Sequence, residues 1–190
     1  FPYTTLFRSD LEAEERAAKS TSVEEIREIL TTKRVDHDRI WTLWFKQYQS
    51  ERPPIETLLH AGLDPNARTW GGKYTPIGST AFQAGVYDRL PPDDLRAIVD
   101  AGADIEEGGT VGMPPLIIVV DRYDDYRYME VLRMLLEAGA DVEGRAADGD
   151  TPLLRVMYTK RGLNVEDLLL AAGADPNAAN DAGQRPLSVA

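Results

Sequence analysis

The sequence predicts a mainly α fold, a stack of helix pairs joined by hairpin-like turns and leaning on one another in series. Two observations predict it. The first is a seven-residue pattern that occurs four times. It reads Leu58-Leu59-His60-Ala61-Gly62-Leu63-Asp64, Ile98-Val99-Asp100-Ala101-Gly102-Ala103-Asp104, Leu135-Leu136-Glu137-Ala138-Gly139-Ala140-Asp141 and Leu169-Leu170-Ala171-Ala172-Gly173-Ala174-Asp175. The glycines are 40, 37 and 34 residues apart, a near-regular period that marks a repeat architecture. The second is a proline-bearing helix start after each copy: Thr75-Pro76-Ile77, Pro114-Pro115-Leu116, Thr151-Pro152-Leu153 and Arg185-Pro186-Leu187.

Each pattern has a physical reading. The aliphatic pair closes an amphipathic helix and faces the core. The glycine stands just past the helix, where the chain needs a left-handed conformation. The aspartate bonds backbone groups in the turn it enters. Thr is a good N-cap and Pro suits the first helical position. One unit is therefore a turn, a helix, a loop and a second helix ending in Ala-Gly. Burying one Leu or Ile gains roughly 1.5–3 kcal/mol, while ordering the backbone costs about 1–2 kcal/mol per residue. A unit with about half a dozen large apolar residues cannot fold alone and must share its faces with neighbours.

These motifs resemble the ankyrin repeat, a two-helix unit of about 33 residues with a Thr-Pro-Leu-His start. The helix-end motif matches four times, and Asp64-Pro65-Asn66-Ala67 and Asp175-Pro176-Asn177-Ala178 match the family's hairpin entry. The family's His is replaced by Gly78, Ile117, Leu154 and Ser188. Its hydrogen bonding is absent, and repeats of moderate stability are expected. The resemblance implies a concave surface of hairpin tips and first helices that binds proteins. A non-enzymatic protein–protein interaction module is the expectation. The alternative is the targeting or substrate-recruiting segment of a larger enzyme or effector.

Residues 1–9 are similar to the translation of a widely used sequencing adapter and are expected to be a non-native segment. A single repeat domain is expected over 10–190, in units of about 10–36, 37–67, 68–107, 108–144, 145–178 and a partial 179–190. Both ends look cut, so a fragment of a longer reading frame is expected, with the native N-terminus missing and the final partial unit frayed.

The first unit opens with a helix-favouring stretch from Leu11 to Ala18. Ser22-Val23-Glu24-Glu25 reads as a capping box, with Val23, Ile26, Ile29 and Leu30 on one helical face. In the second unit Trp41, Trp44, Phe45 and Tyr48 form one stripe. An aromatic ligand groove and a core stripe are both possible; the need to bury one face favours the core. Pro53-Pro54 precedes the second helix.

In the third unit Trp70-Gly71-Gly72-Lys73-Tyr74 should form a hairpin tip. Trp and Tyr are enriched at binding hot spots, so Trp70, Lys73 and Tyr74 are the first contact candidates. Folding of Trp70 back onto a neighbouring turn is the competing reading. Pro91-Pro92 precedes the second helix. In the fourth unit Leu116 to Val120 suits a buried strand as well as a helix; register with the other units favours helix. The Tyr-rich insertion from Asp121 to Tyr128 supplies Tyr123, Tyr126 and Arg127 as second candidates, against a merely tolerated solvated loop. A cation site on Asp121, Asp124 and Asp125 lacks the glycine turn and terminal Glu of a calcium loop and is not expected.

Composition excludes several classes. The chain is 43% hydrophobic and 28% charged, as in ordinary globular domains. The aliphatic run Leu116–Val120 falls far short of a membrane span. The compartment is unknown from the sequence, with the cytoplasm favoured over others. There are no cysteines, hence no disulfide framework and no thiolate metal site. The net charge of −11 disfavours nucleic acid and suits a basic protein partner. No cofactor, metal or catalytic residue is expected. His37, between Asp36 and Asp38, is read as part of a helix cap. His60 is read as exposed. No phosphate loop, nucleophile elbow or His-Glu-x-x-His motif is present.

Overall fold

The computed structural model describes residues 8–47, 52–71, 75–122, 126–159 and 164–186. Among the described residues it is mainly helical, with ten α-helices and no strand beyond one isolated β-bridge. The helices come in successive pairs. They are α1 (Arg8–Lys19) and α2 (Val23–Thr32), α3 (His37–Phe45) and α4 (Ile55–Ala61), α5 (Ala81–Tyr87) and α6 (Pro92–Asp100), α7 (Pro115–Asp121) and α8 (Tyr126–Glu137), and α9 (Pro152–Thr159) and α10 (Val165–Ala171). First helices pack on first helices: α1 on α3, α5 on α7 and α7 on α9. Second helices make another row, with α2, α4, α6 and α8 each packed on the next. Helix α1 starts at Arg8, inside the segment whose sequence resembles an adapter.

Local chemistry sets the helix ends. Ser22 accepts from the Glu25 amide at 3.2 Å and caps α2. The reciprocal half of that capping box is absent, because Glu25 is drawn to Ser20 and Arg16 instead. Asp36 caps α3 through the Asp38 amide at 2.9 Å. Pro54, Pro91 and Pro114 stand directly before α4, α6 and α7. Helix α7 settles the strand-or-helix question: Pro115 through Val120 are helical and all buried. A helix buried all round carries no polar stripe, which is why periodicity is mute there.

The four Ala-Gly corners are equivalent. Gly62, Gly102, Gly139 and Gly173 have φ of +100°, +94°, +89° and +101°. At each, the glycine amide donates three residues back and the next amide five residues back. That pair of bonds closes the helix end as a Schellman motif.

A second set of bonds joins corner to corner. The Asp64 amide donates to His37 Nδ1 at 2.9 Å. The Asp104 amide donates to Asn66 Oδ1 at 2.6 Å, the Asp141 amide to Glu106 Oε1 at 2.8 Å, and the Asp175 amide to Glu143 Oε1 at 2.8 Å. His37 is thus an acceptor for the following corner and not part of the α3 cap. His60 is exposed, as expected.

The core runs through every pair. Trp41 and Trp44 are buried and Phe45 packs against them, so the aromatic stripe is core; Tyr48 lies outside the described residues. Each indole N–H finds a carbonyl, Trp41 on Asp64 at 2.8 Å and Trp44 on Pro53 at 3.0 Å. The Arg52 guanidinium covers Trp44 at 4.8 Å from the ring centre and pairs with Asp88.

Candidate functional site

The chain between α4 and α5 corrects one expectation. Thr75-Pro76-Ile77 does not open a helix. Helix α5 starts at Ala81, capped by Thr80, whose hydroxyl accepts from the Gln83 amide while the Gln83 side chain accepts from the Thr80 amide. This reciprocal box wins because Gln83 is buried and also donates to the Glu107 and Met113 carbonyls at 2.9 and 3.2 Å. Helix formation from Thr75 would give up the capping box. The freed residues become the second limb of a hairpin.

That hairpin is held at its base and from both sides. Arg68 and Thr80 form an antiparallel bridge. The Thr69 amide donates to the Ser79 carbonyl at 2.8 Å, and the Gly78 amide to the Thr69 carbonyl at 2.7 Å. From the preceding unit, Asp38 Oδ1 accepts from the Arg68 amide at 2.7 Å and Thr42 Oγ1 from the Trp70 amide at 2.8 Å. From the following unit, Thr110 donates its hydroxyl to the Ile77 carbonyl. Arg68 pairs with Glu107 and donates to the Gly78 carbonyl. Gly78 has φ +79°, and a Cβ there would collide with the Thr110 side chain.

Two large apolar side chains stand out from this support. Trp70 is 47% exposed and Ile77 72% exposed. The Arg39 guanidinium lies 5.5 Å from the Trp70 ring centre and its Nε sits 2.7 Å from Glu14 Oε2. Trp70 therefore has one contact to a neighbouring unit, while nearly half of the residue faces solvent. Glu14 is fully buried and also accepts from the Asp36 amide at 2.8 Å. Burial pushes its carboxyl above the usual range even with the Asp36 amide and Arg39 opposing. Burial likewise raises Asp38, against the Arg68 bond. An exposed indole and isoleucine on a backbone already bonded at both flanks can be covered by a partner with little further ordering.

The remaining candidates are placed as follows. Lys73, Tyr74 and Tyr123 lie outside the described residues, as do Asp124 and Asp125. Tyr126 and Arg127 open α8. Ile77 is the exposed apolar residue that sequence reasoning missed. Its signal was Thr80 with Gln83 three positions on, a capping pair without the proline that drew attention to Thr75. Among the described residues no group of three or more His, Asp or Glu side chains is gathered to hold a metal ion. No helix in these residues is long and apolar enough to cross a membrane. No protein-family model matches the chain, and no curated protein matches it in sequence.

Proposed function

We propose that the chain is an ankyrin-type helix-pair solenoid that serves as a non-enzymatic protein–protein interaction module. The hairpin carrying Trp70 and Ile77 is its principal contact. Support for the solenoid comes from the four equivalent Schellman corners and the two rows of helices. One observation carries the contact: two large apolar residues, 47% and 72% exposed, on a hairpin pinned to the units on either side. Residues so exposed contribute little to folding, and their placement on a pinned hairpin suits recognition. The net charge of −11 selects a partner with a basic face.

The test compares capture of cellular proteins by the wild-type chain, Trp70→Ala and Ile77→Ser under one salt condition. Loss of the same proteins in both variants, with circular dichroism melts unchanged, is expected. An identical set captured by all three chains would remove the hairpin from the function.

A further inference from the structure

The corner that ends α5 breaks the rule kept by the four glycine corners. The Arg89 amide donates to the Val86 carbonyl at 3.3 Å and the Leu90 amide to the Gly85 carbonyl at 2.9 Å. This is the bond pair seen at Gly62, Gly102, Gly139 and Gly173. The left-handed position is nevertheless held by an arginine, with φ +60°, the one non-glycine residue in that region among those described. A glycine would sit there without strain. A side chain kept at such a position is a pointer to function.

The Arg89 side chain is exposed and has no hydrogen bond or ion pair with the other described residues. It lines an open cavity of about 360 Å³ together with Tyr87, Met113, Asp121, Arg122 and Tyr128. The Arg122 guanidinium lies over the Tyr87 ring, 4.4 Å from its centre. The Tyr128 hydroxyl is turned to the Val86 carbonyl at 3.4 Å. Asp121 has Arg155 at 4.0 Å on its other side. Among the described lining residues two guanidiniums stand against one carboxylate, in a chain whose net charge is −11.

We propose that this cavity binds a single carboxylate group between Arg89 and Arg122. The planar guanidinium fork matches a carboxylate in shape and in donor spacing. A monoanion balances the described lining residues, and a phosphate dianion would put more negative charge beside Asp121. The volume is at the lower end for ligand sites, enough for a group of amino-acid size, with Tyr87 and Met113 as walls for its carbon body. The carboxylate belongs to a free organic acid or to a glutamate side chain of a partner, and the two sources are separable. None of the described hairpin residues lines the cavity, so the site stands or falls apart from the Trp70 contact.

The experiment follows the Nε–H resonances of Arg89 and Arg122 in ¹⁵N-labelled full chain. The probes are sodium benzoate, the blocked peptide acetyl-Gly-Glu-Gly-amide, sodium phosphate and sodium chloride. Saturable shifts of both resonances with benzoate or the peptide are expected, and whichever probe saturates identifies the source. Arg89→Gly should melt at or above the wild-type temperature, since it relieves the left-handed strain, yet bind at least about tenfold more weakly. Arg122→Gln should weaken binding similarly, and Asp121→Asn should tighten it. Tighter binding of phosphate than of either carboxylate overturns the ligand class. Absence of any saturable shift, or wild-type affinity in Arg89→Gly, overturns the site.

Discussion

Alanine in place of Gly139 isolates the backbone contribution of one corner. The φ there is +89°, and a Cβ added at this position would meet nothing within 4 Å. No contact is lost and none is forced. What remains is the left-handed conformation, which costs a residue bearing a Cβ about 1–2 kcal/mol. The unfolded chain is also restricted, which offsets about 0.4–1 kcal/mol. The middle of both ranges gives a net destabilisation of about 0.8 kcal/mol. With a urea slope of about 2 kcal/mol/M, the midpoint should fall by about 0.4 M. Gly62 and Gly102 have equally empty surroundings, so their alanine variants should agree with Gly139→Ala to within about 0.5 kcal/mol. Gly85 is the contrasting case. It is helical, and a Cβ there would stand 2.7 Å from Leu95 Cδ2 and 2.9 Å from Leu90 Cδ1, so any cost of Gly85→Ala is one of packing. An unchanged or higher midpoint for Gly139→Ala would show that the glycine is not there for its φ. The equivalence of the corners would then lose its physical basis.

Three further outcomes are expected. Leu135 is fully buried in α8, so Leu135→Ala should cost about 2–5 kcal/mol in the same melts, and a loss under about 0.5 kcal/mol would contradict its central place. Gln83→Leu removes an amide that serves the Thr80 amide and two carbonyls; a cost of about 1–3 kcal/mol is expected, with faster hydrogen exchange at Thr80, and unchanged exchange would refute the box. Burial raises the carboxyls of Glu14, Asp38, Asp94 and Asp121. The folded state then binds protons more tightly than the unfolded one, so stability should rise as pH falls through the window just above the ordinary carboxylate range. The urea midpoint should be higher near about pH 5 than at about pH 7, with a smaller difference in Glu14→Gln; a lower midpoint at the acid end would refute the assignment.

The features legible in the sequence are those whose chemistry is local. Ala-Gly-x-Asp names its own conformation, and all four glycines adopt it. The Trp41–Trp44 stripe announces a buried face because one helical turn brings its members together. Features that depend on partners far along the chain left no such mark. His37 reads as a cap by its neighbours, yet its bond is to the Asp64 amide, 27 residues away. Thr75-Pro76 is as good a turn as a helix start, and the choice is made by Gln83 reaching carbonyls at Glu107 and Met113. Of the first contact candidates, Trp70 alone lies among the described residues, where it is exposed, while the exposure of Ile77 was hidden by that same misreading. Arg89 looks like any loop arginine until its φ is known. Asn66, Glu106 and Glu143 look like solvated polar residues until the amide each receives comes into place.

Those three side chains reach corners 38, 35 and 32 residues downstream through the same kind of bond. The interval varies while the junction does not. One margin of the molecule is consequently kept in step independently of how much chain intervenes. Insertions and deletions inside a unit can bulge elsewhere without letting successive units slip past each other. This allows a lineage to lengthen or trim individual units while leaving their alignment intact.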